Sequence, residues 1–290
     1  MNRRDFVGGV AATATLVGTG AAWASETHRI SRVGLQLYTV RGEMKKDFEG
    51  TIAKVAEAGY KEVEFAGYFD HTPQQVRAIL EKNGLSAPAC HIPYDVLGDK
   101  WPGVLEAANT VGHRYIVCPW IDDAIRAKPE GWKQAADTFN RAAEAAKKAG
   151  IQFAYHNHNF EFIKIDGKYA YDILLESTDP HLVQMEMDLC WMTIAAQDPI
   201  KYFAKYPGRF PLVHVKDVSK VPTSADGSPV TIDNVTVGMV AVGSGVIDFK
   251  RIFAKSGLGG IKHYFVEDDE PKSPLEEIRQ SYQYLSKLSF

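Results

Sequence analysis

Two histidines and a carboxylate lie close together in the stretch YHNHNFE at residues 155–161. The stretch follows the apolar run 151–154, which is typical of a buried strand. Because side chains two positions apart on a strand share a face, His156 and His158 are predicted to point the same way, with Glu161 just beyond them. A single histidine at such a place is usually structural, whereas two imidazoles and a carboxylate together indicate metal binding or proton transfer.

Other strand-like runs end in polar side chains of similar kinds. They are Gln36, Tyr38, Glu64, His91, Glu186, Asp188, His214, Lys216, Glu267 and Asp269. A polar side chain inside a strand costs several kcal/mol of desolvation unless it is paired or bound to a metal. A salt bridge or a helix cap explains any one of them as well, but the set on successive strands indicates a divalent metal site.

The alternation of side chains within these runs selects the predicted metal ligands, which are His156, Asp188, His214 and Glu267. Imidazole and carboxylate ligands together suit a divalent ion. We predict Mn²⁺ first, with Zn²⁺, Co²⁺ or Mg²⁺ as competitors.

Strand-like runs alternate with helix-period segments along the chain. The predicted strands are 33–38, 62–65, 85–91, 115–118, 151–154, 182–188, 210–215 and 263–267. Eight β/α pairs in one run predict a single α/β domain, a (β/α)8 TIM barrel over residues 25–290, rather than two doubly wound domains. No GxGxxG follows the first strand, which excludes a dinucleotide-binding fold.

The barrel prediction explains how the polar residues would meet, since the carboxyl ends of all strands open at one mouth. One connection, residues 218–247, is unusually long. Connections of that length in a compact domain tend to be lids or binding loops, so this one is predicted to cover the mouth.

The composition narrows the class of function. The chain has 290 residues, 45% hydrophobic and 24% charged, with a net charge of −3. This describes an ordinary globular protein without the basic surface that a nucleic acid partner requires. Cys90, Cys118 and Cys190 fit no zinc-ribbon spacing. They are predicted to be buried free thiols, while a disulfide between two of them stays open.

The N-terminus carries its own signal. Arg3 and Arg4 precede an apolar stretch at 7–22, and the sequence AWA at 22–24 fits a cleavage site. The stretch is short and weakly hydrophobic compared with the roughly 20 residues of a membrane span. Residues 1–24 are therefore predicted to be a twin-arginine signal peptide. The mature protein is expected to be periplasmic, with no stable membrane association after cleavage.

The chain resembles a known family, the xylose isomerase-like barrels of sugar (phosphate) isomerases and epimerases. The resemblance covers residues 32–288 and rests on CHIP at 90–93, MD at 187–188, VHVKD at 213–217, GSGVIDF at 243–249 and FVE at 265–267. It implies a metal held by Glu, Asp, His and Glu from strands 5 to 8. By position, the last three are Asp188, His214 and Glu267. His156 stands where relatives have the first carboxylate, and Glu161 is the alternative ligand.

The resemblance also implies the chemistry, which begins with removal of a proton next to a carbonyl. His158 is the predicted base, with Glu267 and Glu161 as further catalytic candidates, and Lys216 is placed to neutralise an oxyanion. The predicted sugar-binding residues are Tyr38, Glu64, His91, Trp120 and Trp191.

Three functions remain open at this stage. We place first a metal-dependent sugar isomerase or epimerase that acts on a ketose or keto-sugar through an enediolate. The alternative is a lyase that acts by β-elimination on 3-keto-glycosides, or an inosose-like dehydratase. A non-catalytic sugar-binding module is the second alternative. The expected partner is a small-molecule sugar, and homo-oligomerisation stays open.

Overall fold

The computed structural model of the chain describes residues 27–224, 226, 228–231 and 237–290. The predicted signal peptide, residues 1–24, lies outside the described residues. Within the described residues, no helix combines the length and the apolar character needed to cross a membrane.

Eight parallel strands close into a barrel, which confirms the predicted fold. They are β1 Val33–Gln36, β2 Glu62–Phe65, β3 Ser86–His91, β4 Tyr115–Cys118, β5 Gln152–His156, β6 Val183–Asp188, β7 Leu212–Val215 and β8 His263–Val266. Each strand pairs with its neighbours in chain order, and β8 pairs with β1 to close the ring. The barrel therefore has no free edge.

The first strand is shorter than predicted. It ends at Gln36, and Leu37–Val40 form a single 3₁₀ turn. The side chain of Gln36 accepts a hydrogen bond from the backbone N–H of Tyr38 and so caps this turn. Tyr38 consequently lies on the rim of the mouth with 42% of its surface exposed.

The interior of the barrel is apolar in its deeper part and polar at the mouth, where the carboxyl ends of the strands lie. A separate buried cluster contains Ala89, Tyr115, Val117, Ala154, Leu212 and Phe265. Because side chains alternate along a strand, the residue two positions later shares the same face. The pairs Ala89/His91, Ala154/His156, Leu212/His214 and Phe265/Glu267 follow this rule. Along each of these strands, the inward-facing side chains therefore change from an apolar core residue to a polar residue of the mouth.

Twelve α-helices surround or cap the barrel in the described residues. They are α1 Arg41–Lys46, α2 Phe48–Glu57, α3 Pro73–Lys82, α4 Trp101–Val111, α5 Asp123–Arg126, α6 Gly131–Lys148, α7 Ala170–Ser177, α8 Leu189–Ile194, α9 Pro199–Lys205, α10 Phe249–Phe253, α11 Ser256–Gly259 and α12 Pro274–Lys287. The longest, α6, buries Trp132, Ala135, Phe139, Ala142 and Ala146. Their spacing of three or four residues is that of an amphipathic helix packed on the core.

The described part of the long connection after β7 is tied down by one carboxylate. Asp217 is buried and accepts hydrogen bonds from the backbone N–H groups of Val218, Gly243, Gly245 and Ile247. A Cβ on Gly245 would lie 2.2 Å from the Asp217 Oδ1 atom, so glycine is required there. Asp217–Val218 and Met239–Val240 also pair as a short antiparallel ribbon. Both ends of the connection are therefore fixed to the barrel.

The three cysteines are free and buried. This confirms the prediction of structural thiols, and the disulfide left open by the sequence is not formed.

Candidate active site

Polar side chains from six strands or strand ends meet in the barrel mouth in two adjoining groups. The lower cluster consists of His91, His156, Glu186 and His214, with Glu64 beside it. The upper cluster consists of Asp188, His214, Glu267, Lys216 and Asp269.

In the lower cluster the Oε2 atom of Glu186 is the central acceptor. It lies 2.8 Å from His91 Nε2, 3.1 Å from His156 Nδ1 and 3.1 Å from His214 Nε2. The Glu64 Oε2 atom lies 2.7 Å from His214 Nε2 and 3.3 Å from His91 Nε2, and it also accepts a hydrogen bond from the Gln36 amide. Apart from His91, whose side chain is 10% exposed, these groups are shielded from solvent.

In the upper cluster an ammonium group occupies the centre. Lys216 Nζ lies 3.1 Å from Asp188 Oδ2, 2.8 Å from Glu267 Oε2 and 2.9 Å from both carboxylate oxygens of Asp269. Lys216 is only 1% exposed. The other Asp188 oxygen, Oδ1, accepts from the backbone N–H groups of Cys190 and Trp191 and so caps α8.

His156 and His214 connect the two groups because each ring has one nitrogen facing each way. His156 Nδ1 faces Glu186, and its Nε2 lies 3.8 Å from Asp188 Oδ2. His214 Nε2 faces Glu64 and Glu186, and its Nδ1 lies 2.7 Å from Glu267 Oε2. The register of β6 and β7 explains this placement, since Asp188 is level with His214 while Glu186 is level with Leu212, deeper in the barrel.

The balance between burial and nearby carboxylates decides which of these histidines are charged. Burial by itself would lower the pKa of His91, but Glu64 and Glu186 raise it to about 10. The same balance of burial against Glu186 and Glu267 raises the pKa of His214 well above its usual value. Burial, together with the charge of His214, instead lowers the pKa of His156 to about 3.

His158 lies apart from the carboxylates, against an aromatic wall. Its ring stacks on Phe160 with centroids 5.4 Å apart, and the rings of Trp120 and Trp191 lie 5.1 and 5.9 Å away. The Nδ1 atom is buried and has no hydrogen-bond partner within the described part of the chain. Burial, followed by the neighbouring His156 and Lys216, lowers the pKa of His158 well below its usual value. The ring is therefore neutral near pH 7.

Some of these groups line a cavity of about 740 Å³ at the mouth of the barrel. One wall is aromatic and contains Trp120, His158, Phe160 and Trp191. The polar part of the lining includes His91, Lys216, Glu267 and Asp269. Val237, Gly238 and Met239 from the long connection also line it. This agrees with the expectation that the connection covers the mouth.

Glu161 belongs to neither cluster. Its carboxylate accepts hydrogen bonds from the Tyr155 hydroxyl and from the backbone N–H of His158. Burial raises the pKa of Glu161 to about 8. The structure thus places this residue behind the His158 loop, where it orients the loop.

The other predicted residues converge on the mouth. The predicted ligands His156, Asp188, His214 and Glu267 lie together, and Tyr38, Trp120 and Trp191 line the cavity. The predicted sugar-binding residues Glu64 and His91 lie in or beside the lower cluster. Glu186 had no assigned role, although its place two residues before Asp188 on the same face pointed to it.

The donor set fits a divalent cation. The ligand atoms of His91, His156, Glu186 and His214 lie within 4.8 Å of one another, as do those of Asp188, His214 and Glu267. Glu64 Oε1 and Glu186 Oε1 are buried without a hydrogen-bond partner among the described residues, whereas Asp188 Oδ2 is paired with the Lys216 ammonium. Buried carboxylate oxygens are expensive to leave unsatisfied, and a metal ion is one means of satisfying them.

The chain is similar to curated proteins of known activity. An inosose dehydratase from Lacticaseibacillus casei is 24% identical over 265 residues, covering 82% of this chain and 88% of that protein. An inosose dehydratase from Geobacillus kaustophilus (strain HTA426) is 28% identical over 241 residues, covering 70% of this chain and 74% of that protein.

Solved structures give the same architecture. A sugar phosphate isomerase/epimerase from Parabacteroides distasonis superposes with a TM-score of 0.75 at 26% identity, covering 89% of this chain and 98% of that one. The IolI protein, whose structure contains a zinc atom, shares the fold with a TM-score of 0.68 at 14% identity, covering 87% of this chain and 95% of that one.

The sequence pattern of one family matches residues 52–288, which is most of the described barrel. The chain belongs to the xylose isomerase-like TIM barrel family.

Proposed function

We propose that the protein is a divalent-metal-dependent lyase that removes a proton next to the carbonyl of a keto-sugar and then expels the β-substituent. The inosose dehydratases that align with most of the chain support this reaction over the isomerisation placed first from the sequence. A 3-keto-glycoside or a keto-inositol has the required carbonyl, acidic proton and β-oxygen.

The observation that carries the proposal is the contrast between His158 and Glu267. His158 is neutral, and its buried Nδ1 atom has no partner among the described residues. Glu267 is held by His214 and Lys216, and although burial opposes it, these positive charges keep its pKa well below the usual value. His158 is therefore the available base in the described part of the mouth. Epimerisation requires proton exchange on two faces, whereas elimination on one face requires one group that accepts and returns a proton.

In this scheme His158 takes the proton from the carbon next to the carbonyl, and the electron pair moves onto the carbonyl oxygen. The resulting enolate re-forms the carbonyl, makes the carbon–carbon double bond and breaks the β carbon–oxygen bond. The imidazolium of His158 gives its proton to the departing oxygen. No oxidant or further reactant is needed.

Lys216 supplies fixed positive charge. Burial lowers its pKa, but Asp188, Asp269 and Glu267 raise it well above the usual value, so it stays protonated. A group that keeps its proton is suited to stabilising a developing oxyanion and less suited to transferring a proton.

The proposed metal would be held in the polar mouth, where His156 and His214 belong to either donor set. When bound, such an ion polarises a carbonyl and an adjacent hydroxyl as a Lewis acid. Imidazole ligands suit Zn²⁺, and mixed imidazole–carboxylate sets also suit Mn²⁺ and Co²⁺. The zinc atom in IolI, a protein of the same fold, supports a metal here. Mn²⁺ stays a prediction.

The cavity suits an uncharged sugar ring. Trp120 and Trp191 offer flat apolar faces in a lining that also contains polar side chains. Among the described residues that line the cavity, Lys216 is the lysine and there is no arginine. That lysine is already paired with three carboxylates, so a phosphate group would meet net negative charge. Non-phosphorylated keto-sugars are the better substrates.

The test is incubation of the metal-loaded protein in D₂O with 3-keto-glucosides, keto-inositols and free ketoses. Release of the aglycone or of water, with an unsaturated keto product, is the expected result. Deuterium in an isomeric ketose without elimination would overturn the lyase.

An isomerase or epimerase is the second candidate, and the 26% identical Parabacteroides distasonis protein favours it. The D₂O experiment separates the two enzymes directly. A non-catalytic sugar-binding module predicts no turnover and a sugar affinity that EDTA does not change.

We further propose that residues 1–24 direct export through the twin-arginine pathway, so that the mature enzyme works in the periplasm. Support comes from Arg3, Arg4 and the AWA sequence at 22–24. Replacement of both arginines by lysine should leave the precursor in the cytoplasm. Periplasmic recovery of the mature form from that variant would contradict the proposal.

A further inference from the structure

The cavity lining changes in character around the barrel. Strands β1 to β4 are consecutive neighbours in the closed ring, so their carboxyl ends form one continuous arc of the mouth. The lysine and the carboxylates of the described lining come from the other half, at or just beyond the ends of β7 and β8. The loops after β1 to β4 instead contribute uncharged residues, here called the apolar arc, which are Tyr38, Ala66, Gly67, Ile92, Pro93 and Pro119.

Tyr38 is the aromatic member of the apolar arc, and it is held in place at the rim. The Arg41 guanidinium lies 3.9 Å from the centre of the Tyr38 ring and donates hydrogen bonds to the backbone carbonyl oxygens of Tyr38 and Asp269. Tyr38 nevertheless keeps 42% of its surface exposed. An aromatic ring that is already fixed loses little conformational entropy when a ligand packs against it.

The apolar arc adjoins the proposed site of proton transfer. Trp120 directly follows Pro119 and also lines the cavity, and its ring lies 5.1 Å from that of His158. A substrate whose reacting carbon faces His158 therefore has the apolar arc beside it.

The cavity is larger than one sugar ring requires. Its volume of about 740 Å³ lies within the range of about 300–1,000 Å³ that holds drug-sized ligands. A pyranose is considerably smaller than such a ligand, so a second group fits next to it. Apart from the Tyr38 hydroxyl, the side chains of the apolar arc carry no polar atoms. A second sugar would lose hydrogen bonds to water there without replacing them, whereas an apolar group would not.

We propose that the apolar arc is a subsite for the aglycone of a 3-keto-glycoside, and that this aglycone is a planar, apolar alcohol or phenol. The inference rests on the proposed lyase reaction and selects keto-glycosides over keto-inositols, which carry no such group. It also assigns the contact to the ring of Tyr38, in place of the predicted contact with a sugar hydroxyl.

The reaction with such a substrate is balanced. The carbon next to the ring carbonyl gives its proton to His158. The bond between the anomeric carbon and the aglycone oxygen breaks as the carbon–carbon double bond forms. The aglycone then leaves as a neutral alcohol or phenol with the proton that His158 returns.

Two glucosides that differ by one phenyl group test the subsite without turnover. Dissociation constants of phenylethyl and ethyl β-glucoside from the metal-loaded protein are measured by titration calorimetry. We expect the phenylethyl glucoside to bind at least about tenfold more tightly, and we expect Tyr38→Ala to reduce this ratio below about threefold. Tyr38→Phe keeps the ring and should retain the ratio. The control Leu258→Ala removes an apolar side chain of similar exposure, 44%, away from the cavity and should also retain it.

Equal affinities for the two glucosides, or a ratio that Tyr38→Ala leaves unchanged, would overturn the subsite. Loss of the ratio in Tyr38→Phe would assign the contact to the hydroxyl and would also contradict the proposal. Cellobiose that binds as tightly as the phenylethyl glucoside would show a polar second group and would overturn the apolar aglycone.

The corresponding 3-keto-glucosides test the lyase separately. Their two alcohols are leaving groups of similar basicity, so kcat/KM should follow the affinity ratio. If neither keto-glucoside is cleaved, the lyase is rejected, and the affinity ratio still decides for or against the subsite. The two failures are therefore distinguishable.

Discussion

His156 and His158 lie two positions apart, and the structure gives them different surroundings. His156 lies between Glu186 and Asp188, whereas His158 faces Phe160 and Trp120. His156 is buried and His158 is half-buried, and in both cases desolvation favours the neutral ring. Of the two, His158 has a buried nitrogen without a partner in the described structure. This difference supports the proposed roles, which are metal binding for His156 and proton transfer for His158.

At the residue scale, His158→Ala is expected to lower kcat by about 10²–10⁴-fold, the usual contribution of a positioned acid–base group. Metal content should stay at the wild-type level because His158 lies against the aromatic wall rather than against the carboxylates of either cluster. Steady-state kinetics and metal analysis on the same preparation check both statements. A near-normal rate would show that His158 is not the base.

Lys216 carries a second prediction at this scale. Lys216→Met keeps most of the length of the side chain but leaves Asp188, Glu267 and Asp269 without their ammonium. Removing one partner from a buried ion pair costs about 3–5 kcal/mol, and urea denaturation should show a loss of that size. The matched control is Lys205→Met, since Lys205 is half exposed and pairs with Asp172. An exposed pair contributes below about 1 kcal/mol. Similar losses in the two variants would contradict the buried role.

The sequence identified most of the residues of the site but not their depths. A spacing of two along a strand selected Asp188, His214 and Glu267, because that spacing is local. Whether Glu186 or Asp188 meets the histidines depends on strand register, in which His156 is level with Glu186. Register arises from the closure of the whole barrel. No local pattern shows it.

At the scale of elements, the connection after β7 depends on Asp217. One buried carboxylate satisfies backbone N–H groups at residues 218, 243, 245 and 247, and hydrogen bonds to a charged group are stronger than neutral ones. Asp217→Ala should lower the free energy of unfolding by about 3 kcal/mol and accelerate limited proteolysis between residues 218 and 247. Thermal denaturation and peptide mapping measure the two effects.

Asp248→Ala is the control for that variant. Asp248 is exposed and accepts one backbone N–H, that of Arg251, as a helix cap. Loss of such a cap costs about 1 kcal/mol and should leave the cleavage rate of the connection unchanged. If Asp217→Ala behaves like Asp248→Ala, the carboxylate does not fix the connection.

The elements differ in how far the sequence could predict them. The bounds of β2 and β4 agree with their predicted ranges, since short apolar runs are strong local signals. The six-residue helix α8, which follows β6 directly, was not predicted. It is too short and too uniformly buried to show a helical period. Its start is fixed by the Asp188 cap, a residue interpreted from the sequence only as a ligand.

At the scale of the molecule, fold and reaction are specified by different features. Eight alternating elements determine a barrel whatever its mouth contains, and one barrel supports many reactions. The reaction depends on which cavity wall offers a free base and which offers fixed charge. That depends on side chains brought together from β5, β7, β8 and the loops between them. The sequence therefore predicted the family and left isomerase and lyase open.

The stability of the whole barrel also depends on one histidine outside the site. His113 Nδ1 lies 2.6 Å from the Ala87 carbonyl oxygen and so carries the ring proton, while its Nε2 lies 2.9 Å from the Tyr68 hydroxyl and accepts from it. Burial lowers the pKa of His113 to about 4. As the pH is lowered, the unfolded chain binds a proton at this residue near a pH of about 6.5, whereas the folded protein binds it only at lower pH.

The sign of the pH effect follows from this order of protonation. A lowered pKa in the folded state contributes stability that is complete above about pH 6.5 and is lost as the pH falls towards about 4, to a total of about 3 kcal/mol. Urea denaturation of wild type and His113→Gln between about pH 7 and pH 4 should show that the variant's free energy of unfolding falls less, by about that amount. His181→Gln, at an exposed position, should retain the wild-type slope. Parallel curves for wild type and His113→Gln would mean that His113 is protonated in the folded barrel.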